Sequence, residues 1–148
     1  MENEMHNPVK PLVDNIIALR TSLKQYYIQK IKEQHLDITY EMLQVLAALW
    51  KKERMNQQDI AVAIKKNKAS VTPLLDNLCK RDLVKRVNDP NDRRNNLIEL
   101  TLKGDAYREL LTPVQQDLYK AILKEITEQK VLEITEILEK LTVIIDKQ

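Results

Sequence analysis

Two clusters of side chains in this sequence have the chemistry to grip a polyanion. The first is Lys65-Lys66-Asn67-Lys68, which runs directly into Ala69-Ser70-Val71-Thr72-Pro73. The second is Asp92-Arg93-Arg94, inside the polar run Asn88 to Asn96. Ammonium groups act as point charges on phosphates, and hydroxyls reach phosphate oxygens or base edges. Guanidinium groups on a narrow loop suit a minor groove with enhanced negative potential. Asp92 is placed to brace one of these arginines by a bidentate pair.

The surrounding pattern says which elements must hold these clusters. Apolar residues at Leu12, Ile16, Leu19, Leu23 and Tyr26, with a second stripe at Val13, Ile17, Tyr27 and Ile31, predict a broad-faced helix to about Gln34. Thr39 is a good N-cap for a helix carrying Leu43, Val45, Leu46 and Leu49 that ends near Lys52. Asn56 caps a short helix with Ile60, Ala61 and Ile64. The basic turn follows, then a helix from about Ala69 to Arg81 with Val71, Leu74, Leu75 and Leu78 inward. Pro73 falls in its first turn or just beyond, where a missing N–H costs little.

After Asp82 the period changes. Leu83 to Val87 and Leu97 to Leu100 read as two strands of a hairpin with a long polar tip. Thr101 caps a helix with Ala106, Leu110, Val114, Leu118, Ile122 and Ile126, and Pro113 predicts a kink near Leu110 to Thr112. A last helix from about Thr127 carries Val131, Ile134, Leu138, Leu141 and Ile145.

Helix, short helix, basic turn, helix, hairpin is the order of a winged helix-turn-helix. The expected fold is mainly α: a three-helix core plus a β-hairpin wing, with N- and C-terminal dimerisation helices. One domain is expected over 1–148, with a DNA-binding lobe at 36–104 and dimerisation helices at 8–34 and 105–148. The outward positions of the helix after the basic turn are Lys68, Ser70, Thr72, Pro73, Asp76, Asn77 and Lys80. They are small and polar enough for a major groove. Lys68, Ser70, Thr72, Pro73 and Asn77 are the candidate base readers. Asn77 suits adenine, and Pro73 and the threonine methyl suit thymine methyls. Lys65, Lys66 and Lys80 are the candidate backbone contacts.

Bulk properties agree. The 148 residues are 43% apolar and 31% charged, with a net charge of +2. From Lys51 to Leu100, however, 12 Lys/Arg face 7 Asp/Glu, so the basic charge concentrates in the middle. A solvated basic face is the competing explanation of charge alone. No apolar run approaches the roughly 20 residues of a membrane span, and Met1 to Lys10 lacks the apolar core of a secretory signal. With one cysteine, Cys79, the expected setting is the reducing cytoplasm. With one glycine, Gly104, glycine-rich phosphate loops are excluded. No catalytic motif stands out, so an enzyme is not expected, and neither a metal nor a cofactor is called for. A helical protein-interaction module without DNA binding is the alternative function.

From Ile38 to Gly104 the chain resembles the MarR family of multiple antibiotic resistance regulators. The residues that carry the resemblance are Thr39 with Val45-Leu46, Ile60-Ala61, Ser70-Val71-Thr72, Leu74-Leu75-Asp76 and Leu78. They continue through Leu83-Val84, Arg86, Asp89-Pro90, Asp92-Arg93-Arg94, Leu100-Thr101 and Gly104. The resemblance implies that Arg94 enters the minor groove, that Asp92 holds it, and that Lys68 to Lys80 reads the major groove. It also implies a homodimer built from both chain ends, on a pseudopalindromic double-stranded operator with half-sites roughly 34–36 Å apart. A repressor released by a small molecule or an oxidant is the expected regulator. Met42 stands where the family usually has glutamine. Asp82 stands where it has glycine, in a left-handed conformation that Asp tolerates better than most residues.

Three weaker signals have bland alternatives. Cys79 lies beside Lys80 and Arg81, which favours a reactive thiolate, but a packed or idle thiol explains it as well. His6 and His35 lack metal-ligand spacing and read as surface residues. Tyr26, Tyr27 and Tyr40 are candidates to line a pocket for a small aromatic effector, or to be ordinary packing.

Overall fold

A computed structural model of the chain describes residues 7–148. His6 therefore lies outside the described residues. Contacts divide the chain into two compact units, one ending at Arg108 and one from Glu109 to Gln148.

The first unit opens with α1 (Val9–Glu33), which packs on α2 (Tyr40–Lys51). The Thr39 hydroxyl accepts from the Met42 amide and so starts α2, as its sequence position predicts. A short strand, β1 (Arg54–Asn56), leads into α3 (Gln57–Ala63), whose first turn is closed by the Asn56 side chain accepting from the Asp59 amide. Asn67 does the same for α4 (Lys68–Lys80), accepting from the Ser70 amide at 2.8 Å. Each cap satisfies an amide that the helix leaves unpaired, worth about 1 kcal/mol. Strands β2 (Val84–Asn88) and β3 (Asn96–Leu100) form the wing.

Three helices share one core. Val45, Leu46 and Leu49 of α2, Ile60 of α3, and Val71, Leu75 and Leu78 of α4 are fully buried, closed below by Leu83 and Ile98. Each such aliphatic side chain contributes about 1.5–3 kcal/mol by leaving water. The α4 inward face is thus the predicted one, although Leu74 is only half-buried.

Two details differ from the sequence expectation. Lys68 belongs to α4 rather than to the turn, because Asn67 and not Lys68 takes the cap. Pro73 sits just beyond the first turn, as expected, and its missing N–H leaves the Ala69 carbonyl without a helical donor. The wing is also not a lone hairpin: β1 pairs antiparallel with β3, with Met55 opposite Ile98, in the sheet order β1-β3-β2. Glu99 lies between Arg54 and Lys85 on this sheet, at 2.9 and 3.6 Å.

The chain has one glycine, yet among the described residues three helices end in left-handed turns. His35, Lys65 and Asp82 adopt φ of 53°, 56° and 57°. In each case the following amide reaches back to close the helix: Leu36 to the Ile31 carbonyl, Lys66 to Ala61, Leu83 to Leu78. This is a Schellman closure without its usual glycine. A left-handed L-residue costs about 1–2 kcal/mol, part of which glycine would return as unfolded-chain entropy. Asp82→Gly is therefore expected to stabilise the protein by about 0.5–1 kcal/mol and raise Tm by about 1–4 °C. Thermal unfolding by circular dichroism measures it, and a lower Tm would contradict the strain.

The single glycine stands where a side chain would not fit. A Cβ on Gly104 would lie 2.0 Å from the Leu83 carbonyl oxygen. Gly104 belongs to α5 (Leu102–Glu125). The Thr101 hydroxyl closes that helix start by accepting from the Gly104 amide, and it donates to the Asp82 carbonyl at 2.5 Å. The Gly104 carbonyl accepts from the Trp50 indole at 3.1 Å. The start of α5 is thereby fastened to the corner between α4 and β2.

The second unit holds the remainder of α5 and then α6 (Glu128–Asp146), capped by Thr127 as expected. Helix α5 continues through Pro113. No residue of α6 is buried: Leu132, Ile134, Ile137, Val143, Ile144 and Ile145 are between 46% and 64% exposed. No helix among the described residues is long and apolar enough to cross a membrane.

Candidate nucleic-acid interface

The back of α4 is anchored in the core, so its front is presented as a rigid surface. Lys68, Ser70, Thr72, Pro73, Asp76 and Lys80 are all exposed on it. The one carboxylate there, Asp76, is neutralised by Arg86 of β2 at 2.7 Å. Arg86 also donates to the Cys79 sulfur at 3.5 Å, so the half-buried thiol packs beneath a guanidinium already held by Asp76. That pairing removes the only acid that would repel phosphate from the face of α4.

Both ends of α4 are tied down. At its N-terminus the Gln57 amide nitrogen donates to the Lys68 carbonyl at 3.2 Å and to the Thr72 hydroxyl. At its C-terminus the Arg81 guanidinium donates to the Asp37 carbonyl at 2.7 Å and to the Asn77 carbonyl at 3.1 Å, and pairs with the Asp37 carboxylate at 3.2 Å. The Lys103 ammonium donates to the Arg81 carbonyl at 2.9 Å. Sequence reasoning missed Gln57, Arg81 and Lys103. The capping pattern marks the neighbourhood of Gln57, but no local signal marks partners 44 residues apart, as Arg81 and Asp37 are.

Asn77 differs from the other candidate readers. It is half-buried, its amide donates to the Pro73 carbonyl at 3.0 Å, and its side-chain oxygen is 3.4 Å from Arg81. One of its amide hydrogens and its side-chain oxygen are therefore engaged at α4 itself, and most of the exposed readers cluster in the N-terminal half of the helix.

Around this face stand cations that no carboxylate approaches within ion-pair distance among the described residues. Lys65, Lys66, Lys68 and Lys80 are exposed, and none forms an ion pair among the described residues. The left-handed φ of Lys65 turns the chain sharply at the entry to α4.

The wing tip is ordered by its acids. Asp89 accepts from the Asn91 amide at 2.9 Å and from the Asn95 side chain at 3.3 Å. Asp92 accepts from the Arg94 backbone amide at 3.0 Å, and the Asn95 amide closes onto the Asp92 carbonyl at 3.0 Å. The expected guanidinium clamp is thus absent: Asp92 forms a tight Asx turn, and its short side chain is used on the backbone. Arg93 and Arg94 are exposed with no ion-pair partner among the described residues. The arrangement fixes the loop while leaving both guanidinium groups free.

A groove of about 630 Å³ lies on the other side of the α3–α4 turn, lined by Ile17, Arg20, Lys24 and Ile28 of α1, Tyr40, Glu41 and Gln44 of α2, and Ile64, Lys65 and Lys66. Burial pushes the Glu41 carboxyl up, but the hydrogen bond from Lys24, its own backbone amide and the charges of Lys24 and Lys66 hold it below its usual range. The three tyrosines do cluster: Tyr26 and Tyr27 meet edge to face at 5.3 Å, and Tyr27 and Tyr40 lie 6.3 Å apart. Tyr40 alone of the three lines this groove.

A three-helix core, a rigidly backed exposed helix and a three-stranded wing with bare arginines define a winged helix-turn-helix protein. The model of the MarR family matches residues 38–95. The chain is 30% identical over 102 residues to the HTH-type transcriptional regulator SarZ of Staphylococcus saprophyticus, covering 69% of this chain and 68% of that one. It is 26% identical over 106 residues to the regulator MgrA of Staphylococcus aureus, covering 72% and 71%. Among solved structures, Staphylococcus aureus MepR in its DNA-binding conformation superposes with a TM-score of 0.80 at 25% identity, over 90% of this chain and 98% of that one. A mutant MarR from E. coli complexed with operator DNA gives 0.79 at 24% identity, over 91% and 96%. The chain belongs to the MarR family.

Proposed function

We propose that this protein is a transcription regulator that binds an operator in double-stranded DNA, not an enzyme, and that it acts in the cytoplasm. The observation that carries this reading is the exposed Lys68–Pro73 face of α4, backed by fully buried Val71, Leu75 and Leu78 and cleared of free acid by the Asp76–Arg86 pair. On this reading Lys68, Ser70, Thr72 and Pro73 enter the major groove, with Asn77 holding the helix rather than reading adenine. Lys65, Lys66 and Lys80 contact phosphates, and Arg93 and Arg94 reach into the flanking minor groove. The relatives named as transcriptional regulators and the MarR neighbour complexed with operator DNA support it.

The working form is a homodimer built through the helices at 8–34 and 105–148. The support is the apolar side chains left exposed on α1 and α6, such as Val13, Ile17, Ile134 and Ile137. A two-fold axis then sets two α4 helices on half-sites roughly one turn of DNA apart. Release by a small effector, aromatic in the simplest case, is the proposed regulation, with repression as the mode. The Tyr40-lined groove offers it a site beside Lys65 and Lys66.

Footprinting on a duplex selected from a random pool tests the architecture. Two protected half-sites about 10–10.5 base pairs apart are expected, with sedimentation giving two protomers per duplex. Protection of a single half-site by one protomer would overturn the dimer reading.

A further inference from the structure

We propose that Thr72 reads DNA with its methyl group, as a sensor of the thymine 5-methyl, and that Gln57 is the positioning residue that turns it that way. This rests on the assignment of α4 to the major groove. A threonine hydroxyl has one proton and two lone pairs. Here the proton is spent on the Lys68 carbonyl at 3.3 Å, and one lone pair accepts from the Gln57 amide nitrogen. That amide donates to both the Thr72 hydroxyl and the Lys68 carbonyl, so neither of its hydrogens is left over. The strap joins Gln57, the first residue of α3, to the exposed N-terminal half of α4.

The consequence follows from what the major groove displays. Thymine O4 and guanine O6 and N7 are acceptors and need a donor. The Thr72 hydroxyl has none to give while the strap is closed. Its oxygen is drawn back toward the preceding turn, and the tetrahedral Cβ then directs the methyl away from it. Thr72 is exposed, and apart from one remaining lone pair on its oxygen the group it offers to a partner is the apolar methyl. Of the four base pairs, only those with thymine present an apolar group in the major groove. Pro73 beside it widens the apolar spot and likewise carries no donor.

Uracil substitution of single thymines tests this on a duplex selected from a random pool. Uracil keeps O4 and loses only the methyl. At one thymine of each half-site the wild-type protein is expected to lose about fourfold in affinity, the factor of one buried methyl. Thr72→Ser keeps the hydroxyl and deletes the methyl, and should bring the thymine-to-uracil ratio at that position to about one. Thr72→Val keeps the methyl and should preserve the ratio although its overall affinity changes. Gln57→Glu keeps the shape but removes both donors, and should lower the ratio even where Tm is unaltered. A ratio that survives in Thr72→Ser, or vanishes in Thr72→Val, overturns the proposal and makes the hydroxyl the reader. Failure to enrich any duplex is a different result, and it defeats the regulator reading itself.

Discussion

Arg94→Ala is expected to lower operator affinity by about 10–100-fold while leaving the fold and the dimer intact. The wing loop is built by backbone contacts to Asp89 and Asp92, none of which uses the Arg94 side chain. Its guanidinium is exposed and has no ion-pair partner among the described residues, so truncation removes no internal interaction. What is lost is a cation in the narrow groove, where the potential is most negative. The slope of log affinity against log salt should fall by about 1. Arg94→Lys keeps the charge and should restore the slope, but only part of the affinity, because an ammonium lacks the planar fork. Anisotropy titrations at several salt concentrations give both quantities. Wild-type affinity in Arg94→Ala would contradict the wing assignment.

Gly104→Ala is expected to have the largest effect on stability, a loss of about 3 kcal/mol or more. The added Cβ would meet the Leu83 carbonyl oxygen at 2.0 Å and a Leu100 methyl at 3.1 Å. A backbone oxygen cannot swing aside as a flexible side chain can. Leu83 is fully buried, and its carbonyl already accepts from the Thr101 amide at 3.1 Å. The α4–β2 corner and the start of α5 must therefore separate, taking with them the Thr101–Asp82 and Trp50–Gly104 hydrogen bonds. Tm should fall by about 6–12 °C. DNA affinity should fall too, since the corner that separates locks the end of α4 to the start of the wing. A variant that melts at the wild-type temperature would contradict the tight contact.

The parts of this architecture that obey local rules were legible in the sequence. Thr39, Asn56, Thr101 and Thr127 each mark a helix start that the structure places within a residue of expectation. Spacings of three and four picked out the buried side of α2 and α4. The resemblance drew attention to Asp82, and the left-handed turn it implied is present. The left-handed turns at His35 and Lys65 carried no such mark, because glycine, the usual sign, is missing from both.

What remained hidden depends on contacts distant in the chain. Strand β1 is three residues long, too short for any period, and exists because Met55 finds Ile98 across the sheet. Asp92 was read as a partner for an arginine, since sequence adjacency does not distinguish a carboxylate that binds a guanidinium from one that binds the next backbone amide but one. Asn77 lies on the outward side by helical spacing, yet Arg81 holds it. The Gln57 strap on Thr72 joins two helices across the turn, and neither residue type announces it.

Selective DNA binding by the exposed face of α4 and its flanking cations can be measured by an anisotropy titration of the purified protein with the duplex upstream of its own coding region and with a random duplex of equal length. Measured at about 50 mM and about 200 mM salt, both affinities should fall steeply with salt, and the upstream duplex should remain the tighter ligand at each. Absence of binding to either duplex at the lower salt would contradict the account and leave the winged helix as a protein-interaction module.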